Sequence, residues 1–203
     1  MLAHLTYRCD KKSLREYFWE NYDKGKWHEW SDSVKTDQYF KDKPRDIWWK
    51  VYKVHDIANP IINELGLEGM NISPRFSYQF ANTRLPTHVD IDNIVGLNMN
   101  LMDDQVPDIH LNNRPYFYEC MLVDVGGIKH SVESVPYARL IFKLAIREPW
   151  DKIYKALENK GWVDPDLTMC INPNLKEYIS IAPTKQNELW KYLPSNDMRR
   201  KNK

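Results

Sequence analysis

Three residues between positions 88 and 130 have the types and spacing that a metal-centred reaction needs. His88 and Asp90 are separated by one residue, and His130 follows after several strand-like segments. Residues i and i+2 of an extended strand point to the same side, so His88 and Asp90 can bind one ion from adjacent corners. The turn at Gly126-Gly127 lets the chain reverse and bring His130 beside them. Two imidazoles and one carboxylate on one face of a metal leave the opposite face open for small ligands.

Arg139 adds a possible anion receptor nine residues after His130. It begins an otherwise largely apolar strand, ARLIFKLAI. A lone charge that faces a core is costly unless it is paired, and the guanidinium fork suits a carboxylate held in two-point contact. A 2-oxo diacid could chelate the metal with its oxo-acid end and reach Arg139 with its far carboxylate. Imidazole suits Fe(II), Zn(II) and Ni(II) alike, so the ligand types leave the metal open.

The elements around these residues change period twice along the chain. Residues 13–24 predict a helix, and a second helical pattern opens at Pro44 and runs to Gly66, with Pro60 expected to kink it. From residue 70 the period becomes two, which predicts strands at 72–80, 87–91, 94–101, 108–112, 116–125 and 138–146. After Pro149 a helix is predicted, followed by a short strand at 176–182 and a last helix at 184–193. Many short strands joined by turns indicate an antiparallel sandwich or jelly roll rather than βαβ units.

Composition narrows the class of protein. The chain has 203 residues, 29 basic and 28 acidic, for a net charge of +1, so no overall field draws it to nucleic acid or to anionic lipid. No apolar run approaches the roughly 20 residues of a membrane span, and the N-terminus lacks a signal-peptide core. Its three cysteines lie far apart, which indicates a reducing, cytoplasmic compartment.

The segment from about 75 to 147 resembles the core of the Fe(II)/2-oxoglutarate-dependent dioxygenases. The tripeptide HVD resembles their proximal metal motif, and KHSVESVPYAR resembles the "HSV…R" segment of the aspartyl/asparaginyl and prolyl hydroxylase branches. The resemblance covers about a third of the chain. It implies a mainly β fold with flanking helices, in which a double-stranded β-helix (jelly roll, cupin-like) is packed by N-terminal and C-terminal helices. We therefore expect one domain, with a helical segment at 1–68, the core with its metal site at 69–149 and a helical extension at 150–203.

The same resemblance implies a chemistry and a set of roles. Fe(II) would be bound by His88, Asp90 and His130, and 2-oxoglutarate would be held by Arg139. The implied reaction consumes O₂, releases succinate and CO₂, and hydroxylates a C–H bond of a peptide residue or an amino-acid-like substrate.

One departure from the family pattern concerns the far carboxylate of 2-oxoglutarate. Many members place Ser or Thr two residues after the arginine, where this chain has Ile141. A second hydrogen bond must then come from elsewhere, and Tyr78, on the strand before the HVD turn, is the candidate. Asn98 and Asn100 on the following strand could also hydrogen-bond cosubstrate or substrate.

Other polar residues crowd the same region. Asp108 and His110 repeat the two-residue spacing in reverse order and form a rival ligand pair. We expect them to form a loop rim above the site, together with three further acids, Asp92, Asp103 and Asp104.

Two alternative functions use the same fold. A cupin-like hydrolase or isomerase could employ Zn(II) or Mn(II) on the same three ligands, with a bound water as nucleophile. A non-catalytic jelly-roll binding module would instead line a ligand surface with the aromatic residues Trp27, Trp30, Trp48 and Trp49.

Overall fold

The computed structural model describes residues 1–27, 48–90, 95–103, 105, 108–112, 114–165, 169–171 and 178–180. The first part of the chain contains strand β1 (Leu2–His4), helix α1 (Lys11–Glu20), a 3₁₀ turn (Tyr22–Lys24), β2 (Lys26–Trp27), β3 (Trp48–Val51) and helix α2 (His55–Leu65). Eight strands follow: β4 (Ile72–Gln79), β5 (Leu85–His88), β6 (Val95–Asn100), β7 (Asp108–Leu111), β8 (Arg114–Phe117), β9 (Cys120–Val123), β10 (His130–Val132) and β11 (Arg139–Ile146). Helix α3 (Trp150–Asn159) and the short strands β12 (Met169–Ile171) and β13 (Tyr178–Ser180) come last.

Strands β4 to β11 form a double-stranded β-helix. One sheet contains the order β9-β6-β11-β4 and the other the order β5-β10-β7-β8, and every strand pair within them is antiparallel. The chain therefore passes between the two sheets at nearly every turn, which is the winding of a jelly roll. The larger sheet is extended to nine strands by β1, β12 and β13 at one edge and by β3 and β2 at the other.

Two apolar clusters hold these layers together. Alternate residues of the larger sheet, such as Phe76 and Phe142, face outward and pack against the buried stripes of α1, α2 and α3. A second cluster, which includes Leu111, Met121 and Ile141, fills the space between the two sheets. The protein is therefore mainly β with flanking helices, as the sequence predicts. That its three segments form one domain stays a prediction.

The structure corrects the helix predicted to run from Pro44. Residues Trp48–Val51 form strand β3, which pairs with β4, and the helix begins only at His55. Apolar residues at this spacing fit both periods, and pairing with the edge of a large sheet decides for the strand. Pro60 lies inside α2, which continues through it to Leu65. In the part of the chain that the structure describes, no helix is long and apolar enough to cross a membrane. The predicted helix at 184–193 lies outside that part.

His4 gives this fold an acid-sensitive position. Its side chain is 5% exposed on β1, and its Nε2 has no hydrogen-bond partner within the described ranges. Burial lowers the pKa of His4 from 6.5 to about 4, and Asp164 opposes that shift only partly. Between pH 6.5 and 4, His4 is protonated in the unfolded chain but stays neutral in the folded chain.

We therefore predict that His4 removes stability as the pH falls from 6.5 to 4, by about 3 kcal/mol in total. Urea unfolding of the wild type and of His4→Gln at several pH values in this range measures the effect. The variant should lose less stability on acidification than the wild type. The matched control is His55→Gln, at an exposed position at the start of α2, which should follow the wild type. Parallel pH dependences of His4→Gln and the wild type would contradict the assignment.

Candidate metal centre

The pairing of β5 with β10 brings two imidazoles together. His130 is the direct partner of His88 across these antiparallel strands. Directly opposite residues have Cβ atoms about 5 Å apart, so their side chains meet on one face of the sheet. The two ring centroids lie 4.2 Å apart with the planes inclined by 49°. Strand register alone is therefore enough to place two nitrogen donors side by side.

Asp90 joins them from just beyond the end of β5. Its backbone N–H donates to the carbonyl of Val125 at 2.9 Å, which ties it to the chain just before the turn at Gly126-Gly127. That turn is itself fixed by a hydrogen bond from the Gly127 N–H to Asp124 Oδ1 at 2.8 Å. A Cβ on Gly127 would lie 2.8 Å from Asp124 Oδ2, so a larger residue there would push aside the carboxylate that fixes the turn.

The three side chains converge on one point. Asp90 Oδ1 lies 3.2 Å from His88 Nε2 and 3.7 Å from His130 Nε2. One donor atom from each residue lies within 4.8 Å of the other two, and the described ranges contain no other such group of His, Cys, Asp or Glu. His130 is buried, while His88 and Asp90 are partly exposed. The geometry suits one divalent cation with an open side.

The hydrogen bond of His130 prepares its Nε2 as a donor to a metal. Its Nδ1 lies 3.0 Å from the carbonyl oxygen of Ile128, which can only accept, so Nδ1 carries the proton. Burial, with His88 nearby, lowers the pKa of His130 to about 4. The ring is therefore neutral at pH 7, and the lone pair of Nε2 faces the other two ligands.

Lys143 holds the second oxygen of Asp90. Its Nζ lies 3.3 Å from Asp90 Oδ2, while Oδ1 faces the two imidazoles. Burial alone would raise the pKa of the Asp90 carboxyl, but Lys143, His88 and His130 together hold it well below its usual range. The carboxylate is therefore ionised and oriented, as a metal ligand must be.

Arg139 lies in the interior but already has an anionic partner. Its Nη2 donates to Asp108 Oδ1 at 3.0 Å and its Nη1 to the Asp108 backbone carbonyl at 3.3 Å. Arg139 and Asp108 are each 2% exposed, and His110 Nε2 contacts the other oxygen of Asp108 at 3.2 Å. Arg139, the residue predicted to bind the far carboxylate of 2-oxoglutarate, is therefore already in a buried ion pair with Asp108.

The structure places Tyr78 on the opposite side of the larger sheet from the candidate metal centre. Its ring packs against Phe18, Trp19 and Phe80, on the face of the larger sheet that α1 covers. Side chains of a strand alternate between its two faces, and Tyr78 lies three residues after Arg75 in β4. Because Arg75 faces the interior, Tyr78 points to the opposite face.

The two asparagines of β6 differ in their surroundings. Asn100 is fully buried, and its amide group is hydrogen-bonded to nearby backbone. Its Nδ2 donates to the carbonyls of Met102 and Gln105, and its Oδ1 accepts from the Met102 N–H. Asn98 is 4% exposed and its Oδ1 has no partner among the described residues. Asn98 therefore keeps a free acceptor inside the barrel, whereas Asn100 fixes the chain after β6.

The expected acidic rim is not formed as predicted. Asp108 is a buried residue of β7, and Asp103 lies at the surface, 2.8 Å from the guanidinium of Arg15. Asp92 and Asp104 fall outside the described residues. Asp108 contacts both Arg139 and His110, so the rival pair has its own structural partner.

Sequence reasoning missed three basic residues that face the interior near Asp90, namely Lys50, which is buried, and the partly buried Arg75 and Lys143. Lys143 lies four residues after Arg139 in the same strand, hence on the same face, and alternation places Arg75 opposite it on β4. Both could have been found by asking which charges of an apolar strand share its inner face. Lys50 could not be found in this way, because the residues around it also fit the spacing of a helix.

No protein-family model matches this chain, and no curated protein matches it in sequence. Among solved structures, DMSP lyase DddQ from Ruegeria pomeroyi DSS-3 is similar with 12% identity and a TM-score of 0.47, over 71% of this chain and 67% of that one. A prolyl-4-hydroxylase from Pseudomonas putida is similar with 12% identity and a TM-score of 0.48, over 73% of this chain and 92% of that one. A salicylate 1,2-dioxygenase from Pseudoaminobacter salicylatoxidans, in adducts with gentisate, is similar with 13% identity and a TM-score of 0.38, over 75% of this chain and 34% of that one. Likeness at this level carries no argument about activity.

We predict that Arg139→Met destabilises the protein by about 3–5 kcal/mol, because it leaves the buried Asp108 carboxylate without its counter-ion. The double variant Arg139→Met/Asp108→Asn should recover much of that loss, since it removes both charges. Urea unfolding of both single variants, the double variant and the wild type measures the coupling. Arg15→Met, which breaks a surface ion pair, is the control and should cost much less. A small effect of Arg139→Met would contradict the buried pair.

Proposed function

We propose that this chain is a metal-dependent oxygenase that binds Fe(II) through His88, Asp90 and His130. It uses 2-oxoglutarate and O₂ to hydroxylate a C–H bond of a peptide residue or an amino-acid-like substrate. The observation that carries the proposal is that two imidazoles on the paired strands β5 and β10 converge with the ionised carboxylate of Asp90. Two imidazoles and one carboxylate with open positions are the ligand set of non-heme Fe(II) oxygenases.

The protein's own residues prepare the site in three ways. The Ile128 carbonyl fixes the tautomer of His130, and Lys143 fixes the orientation of Asp90. The apolar cluster between the sheets excludes water from the interior behind the ligands. The bound iron would supply O₂ activation, coupled to conversion of 2-oxoglutarate into succinate and CO₂. One oxygen atom of O₂ enters succinate and the other enters the hydroxylated product, so the reaction balances.

Metal binding by the three residues can be tested without turnover. We predict that the metal-free protein binds one equivalent of Co(II), measured by isothermal titration calorimetry. Metal at 100 times its Kd should raise the free energy of unfolding by about 2.7 kcal/mol. His88→Ala and His130→Ala should each abolish stoichiometric binding. His110→Gln, at the imidazole that contacts Asp108 instead, is the matched control and should bind as the wild type does. Unchanged affinity in His88→Ala would contradict the site.

The oxygenase activity has a separate test. Anaerobic addition of Fe(II) and 2-oxoglutarate should produce the weak visible charge-transfer band of a chelated 2-oxo acid, and admitting O₂ should release succinate and CO₂ in equal amounts. Zn(II)-loaded protein is the control and should release neither, because Zn(II) has no redox chemistry. Fe(II)-loaded protein that gives no band and no O₂-dependent succinate would overturn the proposal. Turnover of an organic acid that needs a metal but no O₂ would also overturn it and favour the hydrolase or isomerase alternative.

A further inference from the structure

A row of polar side chains crosses the inner face of the larger sheet beside Asp90. Arg75 on β4 lies opposite Lys143 on β11, which lies opposite Asn98 on β6. Neighbouring strands are about 4.8 Å apart, so these three positions span about 10 Å of sheet. Lys50 on β3 faces the same interior one step along, opposite Ser77, which is two residues after Arg75. We call Lys50, Arg75 and Lys143 the inner cationic cluster.

The cluster carries more positive charge than the described residues neutralise. Lys143 pairs with Asp90. Lys50 is 8% exposed, and neither it nor Arg75 forms an ion pair or a side-chain hydrogen bond with any residue in the described ranges. The Nε of Arg75 and the Oδ1 of Asn98 are both fully buried and have no hydrogen-bond partner among the described residues.

Stability of the fold gives no reason for these charges. Burying an ammonium or a guanidinium without a counter-ion costs several kcal/mol, and apolar residues of similar volume would pack as well. The nearby Arg139 shows how this chain neutralises a structural charge, because Asp108 binds it with two contacts. No equivalent acid serves Lys50 or Arg75 in the part of the chain that is described.

The protein's electrostatics point the same way. Burial first, and then the charges of Arg75 and Lys143, hold the pKa of Lys50 well below its usual range. Burial likewise lowers the pKa of Arg75. An anion bound between Lys50 and Arg75 would favour the charged form of each and so raise both pKa values. Asp90 cannot serve fully as that anion, because one of its oxygens would bind the metal. Among the described residues, Asp90 is the only acid that forms an ion pair with a member of the cluster, and it pairs with Lys143.

We propose that the inner cationic cluster, with Asn98, binds the carboxylate groups of a small dianionic organic acid beside the metal ligands. The identification of this acid as 2-oxoglutarate rests on the oxygenase proposed in the preceding section. In that enzyme the cluster, and not Arg139, would hold the far carboxylate of 2-oxoglutarate. Lys50 and Arg75 supply the charge. The free Oδ1 of Asn98 accepts a hydrogen bond from a donor on the organic substrate or from a bound water.

Succinate binding to metal-free protein tests the cluster, since succinate has both carboxylates and lacks the oxo group that chelates a metal. Isothermal titration calorimetry should show one succinate per chain, with the neutral diamide succinamide not bound. Lys50→Met and Arg75→Met should each weaken succinate binding by about tenfold or more, because each removes a charge-assisted hydrogen bond. The control Lys152→Met, at a surface lysine of α3, and the neutral pair Arg139→Met/Asp108→Asn should bind as the wild type does.

Unfolding of the ligand-free variants separates binding from folding. Lys50→Met should unfold at the same or a higher urea concentration than the wild type, because it removes an unpaired buried charge. Loss of succinate binding together with loss of stability would show a structural lysine and overturn the proposal. Wild-type affinity in both single variants, or loss of binding in the Arg139/Asp108 pair alone, would also overturn it. The succinate test needs neither iron nor O₂, so its result is independent of turnover. Failed turnover with intact succinate binding rejects only the oxygenase, and turnover without succinate binding by the cluster rejects only the cluster.

Discussion

The pairing of β5 with β10 is the constraint on which the rest of the site depends. Because His130 is the direct partner of His88, a shift of one residue in register would turn one imidazole to the other face of the sheet. The Asp90–Val125 backbone bond and the glycine turn then bring a carboxylate to the same point. The site is thus held by main-chain hydrogen bonds of the jelly roll, and its side chains need little freedom to converge.

Buried charge in this barrel has two distinct arrangements. Arg139 and Asp108 neutralise each other between the sheets in a pair that is closed to solvent, and Asp108 also contacts His110. Lys50 and Arg75 lie on the same inner face with no such partner among the described residues. The first arrangement suits a structural role, and the second suits a ligand that arrives with its own negative charge. An arginine in an apolar strand therefore does not by itself identify an anion site.

Much of this could be predicted from sequence where the physical signal is local. Alternation in ISPRFSYQF and RLIFKLAI predicts β4 and β11, and the two-residue spacing of His88 and Asp90 predicts that they share a side. Local patterns could not identify β3, since Trp49 and Val51 fit a helix as well as a strand until β4 supplies a partner. Nor could they reveal that Asp108 binds Arg139, a contact between residues 31 positions apart. The sequence alone also does not fix which face of β4 points inward, and the structure puts Tyr78 on the face that α1 covers.

Binding of one ion by His88, Asp90 and His130 together is the property to measure first. A crystal structure of the protein loaded anaerobically with Mn(II), with the metal located by its anomalous scattering, measures this directly. We expect a single strong peak within coordination distance of both Nε2 atoms and one oxygen of Asp90, with Lys143 still in contact with the other oxygen. A peak at any other group of residues, or at these residues with either imidazole turned away, would contradict it.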